Sequence, residues 1–334
     1  ACGGAVLGVA VACKTWADGG VLGVAGITRT CLASPTAPKL AHVLGLGLAG
    51  AVMSRAYGGF EPLPPPGLAG QDVSLFAARL ALGGLAVGLG TSMANGCTSG
   101  HGLTGLARLA TRSWVAVPTF MAVAMATATL LGTSRAIPPH APSEQMAPAL
   151  GRAAACAAGL AALCLSVTAA AAAARPKLGQ EAGEKLKVVE EFVTGSTFGA
   201  GLVVSTMARA SKVAAFVDLG SGAWDPSLAF VMGGGLLITL PFFQLIERHP
   251  DARAALGGDL GLPLKSRAVD RNLILGSALF GVGWGTCGMC PGPIWVVVGS
   301  MPSLQVFLVL GGMLAGMAAW TASQRQGDAS AKKQ

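Results

Sequence analysis

The sequence is short of charge. Of its 334 residues only 11% are Asp, Glu, Lys or Arg, where a soluble domain carries about 25%. A chain so poor in charge cannot cover its own surface in water. Soluble disorder is excluded in turn by 52% hydrophobic residues and a mean hydropathy of +0.61. Amphipathic stripes, which a soluble helical protein needs, are missing too, because the long runs are apolar all round. A secreted disulfide framework is also absent. Several of the eight cysteines (Cys2, Cys13, Cys156, Cys164) lie inside apolar segments, where cysteine acts as a small buried hydrophobe. The net charge of +8 does not read as nucleic-acid binding, since the basic residues sit in short loops between apolar runs. What remains is an all-α polytopic membrane protein partnered by the lipid bilayer. The start at Ala1 leaves an upstream targeting segment as an expectation.

The chain is organised around Asn95–Arg112, NGCTSGHGLTGLARLATR, which lies between the apolar runs Phe76–Ala94 and Trp114–Leu131. This stretch is too polar and too rich in glycine for an ordinary span, and too closely flanked for a soluble domain. It reads as a re-entrant loop with a half-helix. Such backbone survives at membrane depth only where it is buried in protein or lines a cavity. Cys97, Thr98, Ser99 and His101 then offer hydrogen-bonding groups there.

Other segments follow from the apolar runs. Gly3–Ala12 is a short span, truncated, broken or completed by Cys13–Trp16. Gly19–Thr30 is a second re-entrant element. Spans are expected at Leu40–Met53, Phe76–Ala94, Ser113–Gly132, Met146–Ala174, Phe192–Met207, Pro226–Ile246, Asn272–Thr286 and Pro302–Thr321. Ala208–Asp225 and Cys290–Ser300 are interrupted elements. Glu61–Gly67 and Pro138–Pro148 are loops, Arg175–Glu191 is a charged solvent-facing segment, and Ser323–Gln334 is a polar tail.

The two halves match. Leu82-Gly83 and Gly88-Leu89-Gly90 line up with Leu275-Gly276 and Gly281-Val282-Gly283, and the same register sets Cys97 opposite Cys290. The expectation is therefore about nine transmembrane helices in two inverted repeats with four re-entrant half-helix loops. Residues 1–145 form the first repeat, 146–187 a connector helix and charged loop, 188–322 the second repeat, and 323–334 the tail. Most of the 23 Lys and Arg fall on one side of this topology; only Arg55, Arg79, Arg135, Arg152, Arg209 and Lys212 fall on the other. The first side, with the C-terminus, is expected to be cytoplasmic, which suits a plasma (inner) membrane.

The stretch NGCTSGHGLTGLARLATRSWVAVPTF resembles the signature of the YeeE/YedE sulfur-transport family, and GVAGITRT resembles its first loop. ASKVAAFVDLGSGAWDPSLAFVMGG and FGVGWGTCGMCPGP resemble a partner half that some members carry as a separate small protein. The resemblance implies a permease, not an enzyme, for thiosulfate or a related inorganic sulfur anion, passed along cysteines in buried loops. It implies no cofactor, and it admits a cytoplasmic sulfur-acceptor protein as partner. Carried over by position, the motif cysteines are Cys97 and Cys290. Many members have cysteine where Thr104 stands, and the first loop, Gly19–Thr30, has none here. A two-cysteine path is the expectation.

The chemistry suits these residues. A fixed cation would hold a dianion too tightly for release, whereas a neutral thiol is a weak donor. Thiolates would repel the anion, so both thiols are expected to stay protonated. Half-helix N-termini add partial positive charge. The substrate-binding candidates are Cys97, Thr98, Ser99, Gly100, His101, Thr104, Cys287, Cys290 and Gly292, with Arg209 and Lys212 as an outer basic rim. Duller roles stand beside these. Cys97 and Cys290 could be packing cysteines. His101 could cap a half-helix or, with Cys97, hold a metal, although no metal is expected. Asp225 reads first as a helix cap, and Trp284 and Trp295 as packing or belt residues. The alternative function is a membrane thiol-disulfide or sulfurtransfer enzyme that uses Cys287 and Cys290 as C-x-x-C.

Overall fold

The computed structural model describes residues 1–56, 72–137, 146–174, 179–222, 224–249 and 251–331. The expected Glu61–Gly67 loop and most of the Pro138–Pro148 loop lie outside these residues. The helices are α1 (Cys2–Asp18), α2 (Val24–Ala33), α3 (Ala37–Ala56), α4 (Val73–Met93), α5 (Thr111–Leu131), α6 (Thr133–Ala136), α7 (Met146–Ala174), α8 (Gln180–Val204), α9 (Ala210–Val217), α10 (Ser227–Ile246), α11 (Arg271–Cys287), α12 (Pro291–Ser300) and α13 (Leu304–Ala331). Between α4 and α5 runs a π-helical stretch, Thr98–Gly105.

Among the described residues seven helical segments are long and apolar enough to cross a membrane: most of α3, α4, α5, most of α7, α10, the run Arg271–Ser300 that holds α11 and α12, and most of α13. α1, with 17 residues, and α8, with a charged first half, fall outside that set. Leu44, Leu82, Leu130, Leu237, Phe230 and Leu304 are all exposed. An outer surface this apolar is what a bilayer covers, so the chain is an all-α, multi-pass integral membrane protein.

The contacts between elements have an internal symmetry. Exchange α1 with α8, α2 with α9, α3 with α10, α4 with α11, the π-helical stretch with α12, and α5 with α13. The pair α4–α13 then becomes α11–α5, α3–α8 becomes α10–α1, and α3–α12 becomes α10 against the π-helical stretch, while α4–α11 and α1–α8 map onto themselves. The α4–α11 crossing shows the same relation at atomic scale. A Cβ on Gly90 would lie 2.7 Å from the Gly276 carbonyl oxygen, and one on Gly283 would lie 2.6 Å from that of Gly83. Only glycine permits backbones this close.

Local chemistry sets the helix ends. Asp72 accepts from the Ser74 and Leu75 amides and starts α4, and Asp270 accepts from the Leu273 amide and starts α11. α1, α5 and α11 end at Gly19, Gly132 and Gly288, each with positive φ.

Asp270 also receives Arg112 Nη1 at 2.6 Å, and this hydrogen bond holds its carboxyl below the usual carboxylate range. A depressed carboxyl adds stability above its unfolded value of about 4, and the gain disappears as pH falls through the folded value. Asp270→Asn keeps a capping oxygen but loses the charge. Its unfolding midpoint should lie slightly below wild type at neutral pH, and the gap should close on acidification; a thermal-unfolding series against pH checks this.

Two segments depart from the sequence reading. The charged stretch Arg175–Glu191 is not solvent-facing at its end. α8 is continuous from Gln180, and Glu190 and Glu191 are buried against α1 and α3, with Lys14 and His42 as partners of Glu191. Alternating charge spends itself on water only until α8 enters the bundle. The tail likewise continues α13 to Ala331.

Candidate functional site

Four short helical elements break off inside the bundle: α2, the π-helical stretch, α9 and α12. The residues before two of them match. Cys97 precedes the π-helical stretch with φ −128° and ψ −163°, and Cys290 precedes α12 with φ −128° and ψ 171°. Each thiol therefore sits at a helix N-cap in extended backbone. The first amides of a helix have no partner inside it and carry the positive end of its dipole. At α12, Pro291 and Pro293 have no N–H, which leaves Gly292 as the single donor among the first three residues. At the π-helical stretch Thr98, Ser99 and Gly100 each have one.

These two N-termini face one cavity of about 250 Å³. Cys97, Thr98, Ser99, Cys290 and Gly292 line it, and both thiols are buried. Cys97 Sγ lies 3.3 Å from Ser99 Oγ, and Cys290 Sγ lies 3.8 Å from Thr98 Oγ1, so the hydroxyls of one loop touch the thiols of both. The other walls are apolar and soft: Phe120, Phe198, Phe216, Met207 and Met232 among them. Among the described residues no charged side chain lines the cavity.

Trp284 also lines it, stacked on Phe280 at 5.9 Å with its edge toward Phe120. Its indole Nε1–H is buried and has no partner. From the sequence this residue reads as packing or as part of an interfacial belt. The signal was there only in outline: a tryptophan on the glycine-rich face of α11, six residues before Cys290.

A second cavity of about 470 Å³, with charged residues in its wall, lies on the other side of the Gly96–His101 loop. Gly100, His101 and Thr104 line this vestibule and not the inner cavity. His101 Nδ1 meets Ser113 Oγ at 3.0 Å and Nε2 meets the Ala94 carbonyl at 3.2 Å, which occupies both ring nitrogens. Thr104 Oγ1 is buried without a partner. The loops pinch between the two spaces: the Val24 amide donates to Ser99 Oγ at 3.2 Å, and a Cβ on Gly100 would lie 3.9 Å from Gly23 Cα. Arg108, Arg112, Lys39, Lys187 and Arg267 give the vestibule wall its positive charge; Arg108 is paired with Glu247 and Arg112 with Asp270.

Other candidates lie elsewhere. Cys287 lines neither space. It is buried in the α4–α11 crossing, its Cβ 2.9 Å from where a Cβ on Gly83 would be, and its thiol points to the Met289 carbonyl. Lys212 is ion-paired with Asp225, which also caps α10 through the Ser227 amide, so its charge on the rim is matched. Asp218 accepts from the Ser134 amide and hydroxyl. Trp295 donates to Thr28 Oγ1. Among the described residues no three His, Cys, Asp or Glu side chains gather as metal ligands.

A family model described as sulphur transport matches residues 5–126, and a family of unknown function, DUF6691, matches residues 186–332. A probable transporter of Xylella fastidiosa strain Temecula1 is 38% identical over 132 residues, covering 40% of this chain and 86% of the relative. Another probable transporter, from strain 9a5c, is 37% identical over 131 residues, covering 39% of this chain and 91% of the relative. No solved structure matches.

Proposed function

The chain belongs to the YeeE/YedE-like sulphur transport family, and we propose that it moves thiosulfate or a related inorganic sulfur anion across the membrane, past the thiols of Cys97 and Cys290. The observation that carries this reading is the shared cavity with matching cysteine N-caps. Its polar groups are all neutral: two thiols, the hydroxyls of Thr98 and Ser99, helix-end amides and the indole N–H of Trp284. Neutral donors bind a dianion weakly enough for it to leave. The methionine and aromatic walls suit a polarisable sulfur. Residues 1–145 and 188–322 act as two inverted repeats, joined by the connector 146–187, so that the site lies near the bilayer midplane. The excess of Lys and Arg orients the vestibule and the C-terminus, with residues 323–334, to the cytoplasm of a plasma (inner) membrane. A cytoplasmic sulfur-acceptor protein would then meet the anion at the vestibule.

Uptake of radiolabelled thiosulfate into proteoliposomes tests the reading directly. Protein-dependent accumulation is expected, competed by unlabelled thiosulfate and not by chloride. The enzyme alternative, with Cys287 and Cys290 as a redox pair, loses ground because Cys287 packs in the α4–α11 crossing away from the cavity. Cys287→Ala should therefore keep uptake within about twofold of wild type, a difference of about 0.4 kcal/mol. Loss of uptake together with a disulfide that cycles during turnover would favour the enzyme.

A dianion entering a negative-inside cell moves against the potential, at about 2.3 kcal/mol per charge per 100 mV. Accumulation against such a field needs a coupled cation.

A further inference from the structure

The vestibule wall holds a group of buried titratable residues that the transport path itself does not use. Lys14 on α1 donates to Asp18 Oδ2 at 2.8 Å and to Glu191 Oε1 on α8. Glu191 Oε2 lies 2.9 Å from His42 Nδ1 on α3. Lys14, Asp18 and Glu191 line the vestibule. His42 is fully buried behind them, and its Nε2 has no partner. Three helices from both halves of the chain thus contribute to one cluster.

We infer that the His42–Glu191 pair, held by Lys14, is a proton-binding station, and that a proton taken up there accompanies each sulfur anion. This inference rests on the transport reading above. With the ring neutral and its Nδ1–H donated to the carboxylate, Nε2 is the vacant acceptor. Glu191 lines the vestibule, so its carboxylate is where an incoming proton first meets the pair.

The charge balance gives the coupling its sign. One ammonium faces two carboxylates in Lys14, Asp18 and Glu191, so the unprotonated cluster is negative and opposes an anion in the vestibule. Adding a proton cancels that charge. The anion therefore binds better to the protonated state, and by linkage it raises the proton affinity of the pair by the same factor. Of the other cations on the vestibule wall, Arg108 and Arg112 are already paired with Glu247 and Asp270. Glu190 accepts from Thr194 and has one oxygen unpaired. Cys164 on α7 meets Thr194, and Arg152 on α7 is exposed. Arg29 on α2 is turned to Asn95, and Cys31 there is only partly buried. α12 carries no titratable side chain, and Lys39 on α3 bonds the Ser34 carbonyl. Lys187 also stands on the vestibule wall, one turn before Glu191 on α8.

There is a mechanical link as well. Asp18 Oδ1 accepts from the Gly20 amide at 2.8 Å. Gly20 begins the segment that runs to Gly23, which opposes Gly100 at the pinch between vestibule and inner cavity. A change of charge on Glu191 reaches that pinch through Lys14 and Asp18.

The test uses proteoliposomes with a trapped pH dye and the membrane potential clamped by potassium and valinomycin. Thiosulfate stays a dianion throughout the neutral range, so a proton that enters with it must be carried by the protein. Wild type should take up radiolabelled thiosulfate several-fold faster under an acid-outside gradient, and its lumen should acidify only when thiosulfate is supplied. His42→Gln, which can still donate to Glu191, should exchange labelled for unlabelled thiosulfate at equal pH but lose the response to the gradient. Wild-type uptake that ignores the gradient and brings no acidification would overturn the inference and leave the transport reading intact. Absence of both uptake and exchange in wild type would remove the transport reading and this inference with it. An exchange-competent His42→Gln that keeps the gradient response would also overturn it.

Discussion

Replacing Cys290 with alanine should cut thiosulfate uptake by about 10- to 100-fold, and replacing Cys97 should do the same. A hydrogen bond to a charged partner is worth about 1.5–3 kcal/mol, and about 1.4 kcal/mol is tenfold in rate. The effect is this large because, among the described residues, the inner cavity has no charged side chain to compensate. Each thiol is one of few donors there. Serine at either position retains an O–H donor in a similar volume, so Cys290→Ser should recover part of the loss. The reading fails if both alanine variants, expressed at wild-type level, transport within twofold of wild type. A metal or redox role for Cys290 predicts a different pattern, in which serine is as poor as alanine.

The second large effect lies away from the cavity, at Gly50 on α3. A Cβ there would sit 1.9 Å from the Val296 carbonyl oxygen of α12. Ordinary contact needs more than an ångström beyond that, so Gly50→Ala must push the two helices apart. Overpacking of this kind costs about 1–3 kcal/mol. The displacement is transmitted to the site because Cys290 is the N-cap of the helix being pushed. Gly50→Ala should therefore lose most uptake and unfold several degrees earlier in detergent. Gly311→Ala on α13 is the matched control, since a Cβ there meets nothing within 4 Å; it should change neither property. Unchanged uptake in Gly50→Ala would mean that the position of α12 does not govern transport.

Much of this architecture is legible in the residues. Apolar runs such as Phe76–Ala94 and Pro226–Ile246 match α4 and α10 within a few positions, because a bilayer demands length and apolarity locally. Glycine interruptions located the broken elements, and the glycine register that aligns Gly83 with Gly276 also aligns Cys97 with Cys290, the N-caps of the two equivalent short helices. These are properties of neighbouring residues along one chain.

Other features came only from the packing of distant segments. Glu191 looks like a solvated charge until α1 and α3 set Lys14 and His42 against it. The candidates Cys97, Thr98, Ser99, Cys290 and Gly292 share a cavity, whereas Gly100, His101 and Thr104 face the vestibule and Cys287 faces α4. Spacing along the chain could not divide them, since Cys287 and Cys290 are three residues apart and point to different spaces. Composition and periodicity report how each helix meets lipid. Which side chain meets which depends on how helices far apart in sequence cross, and only the folded bundle decides that.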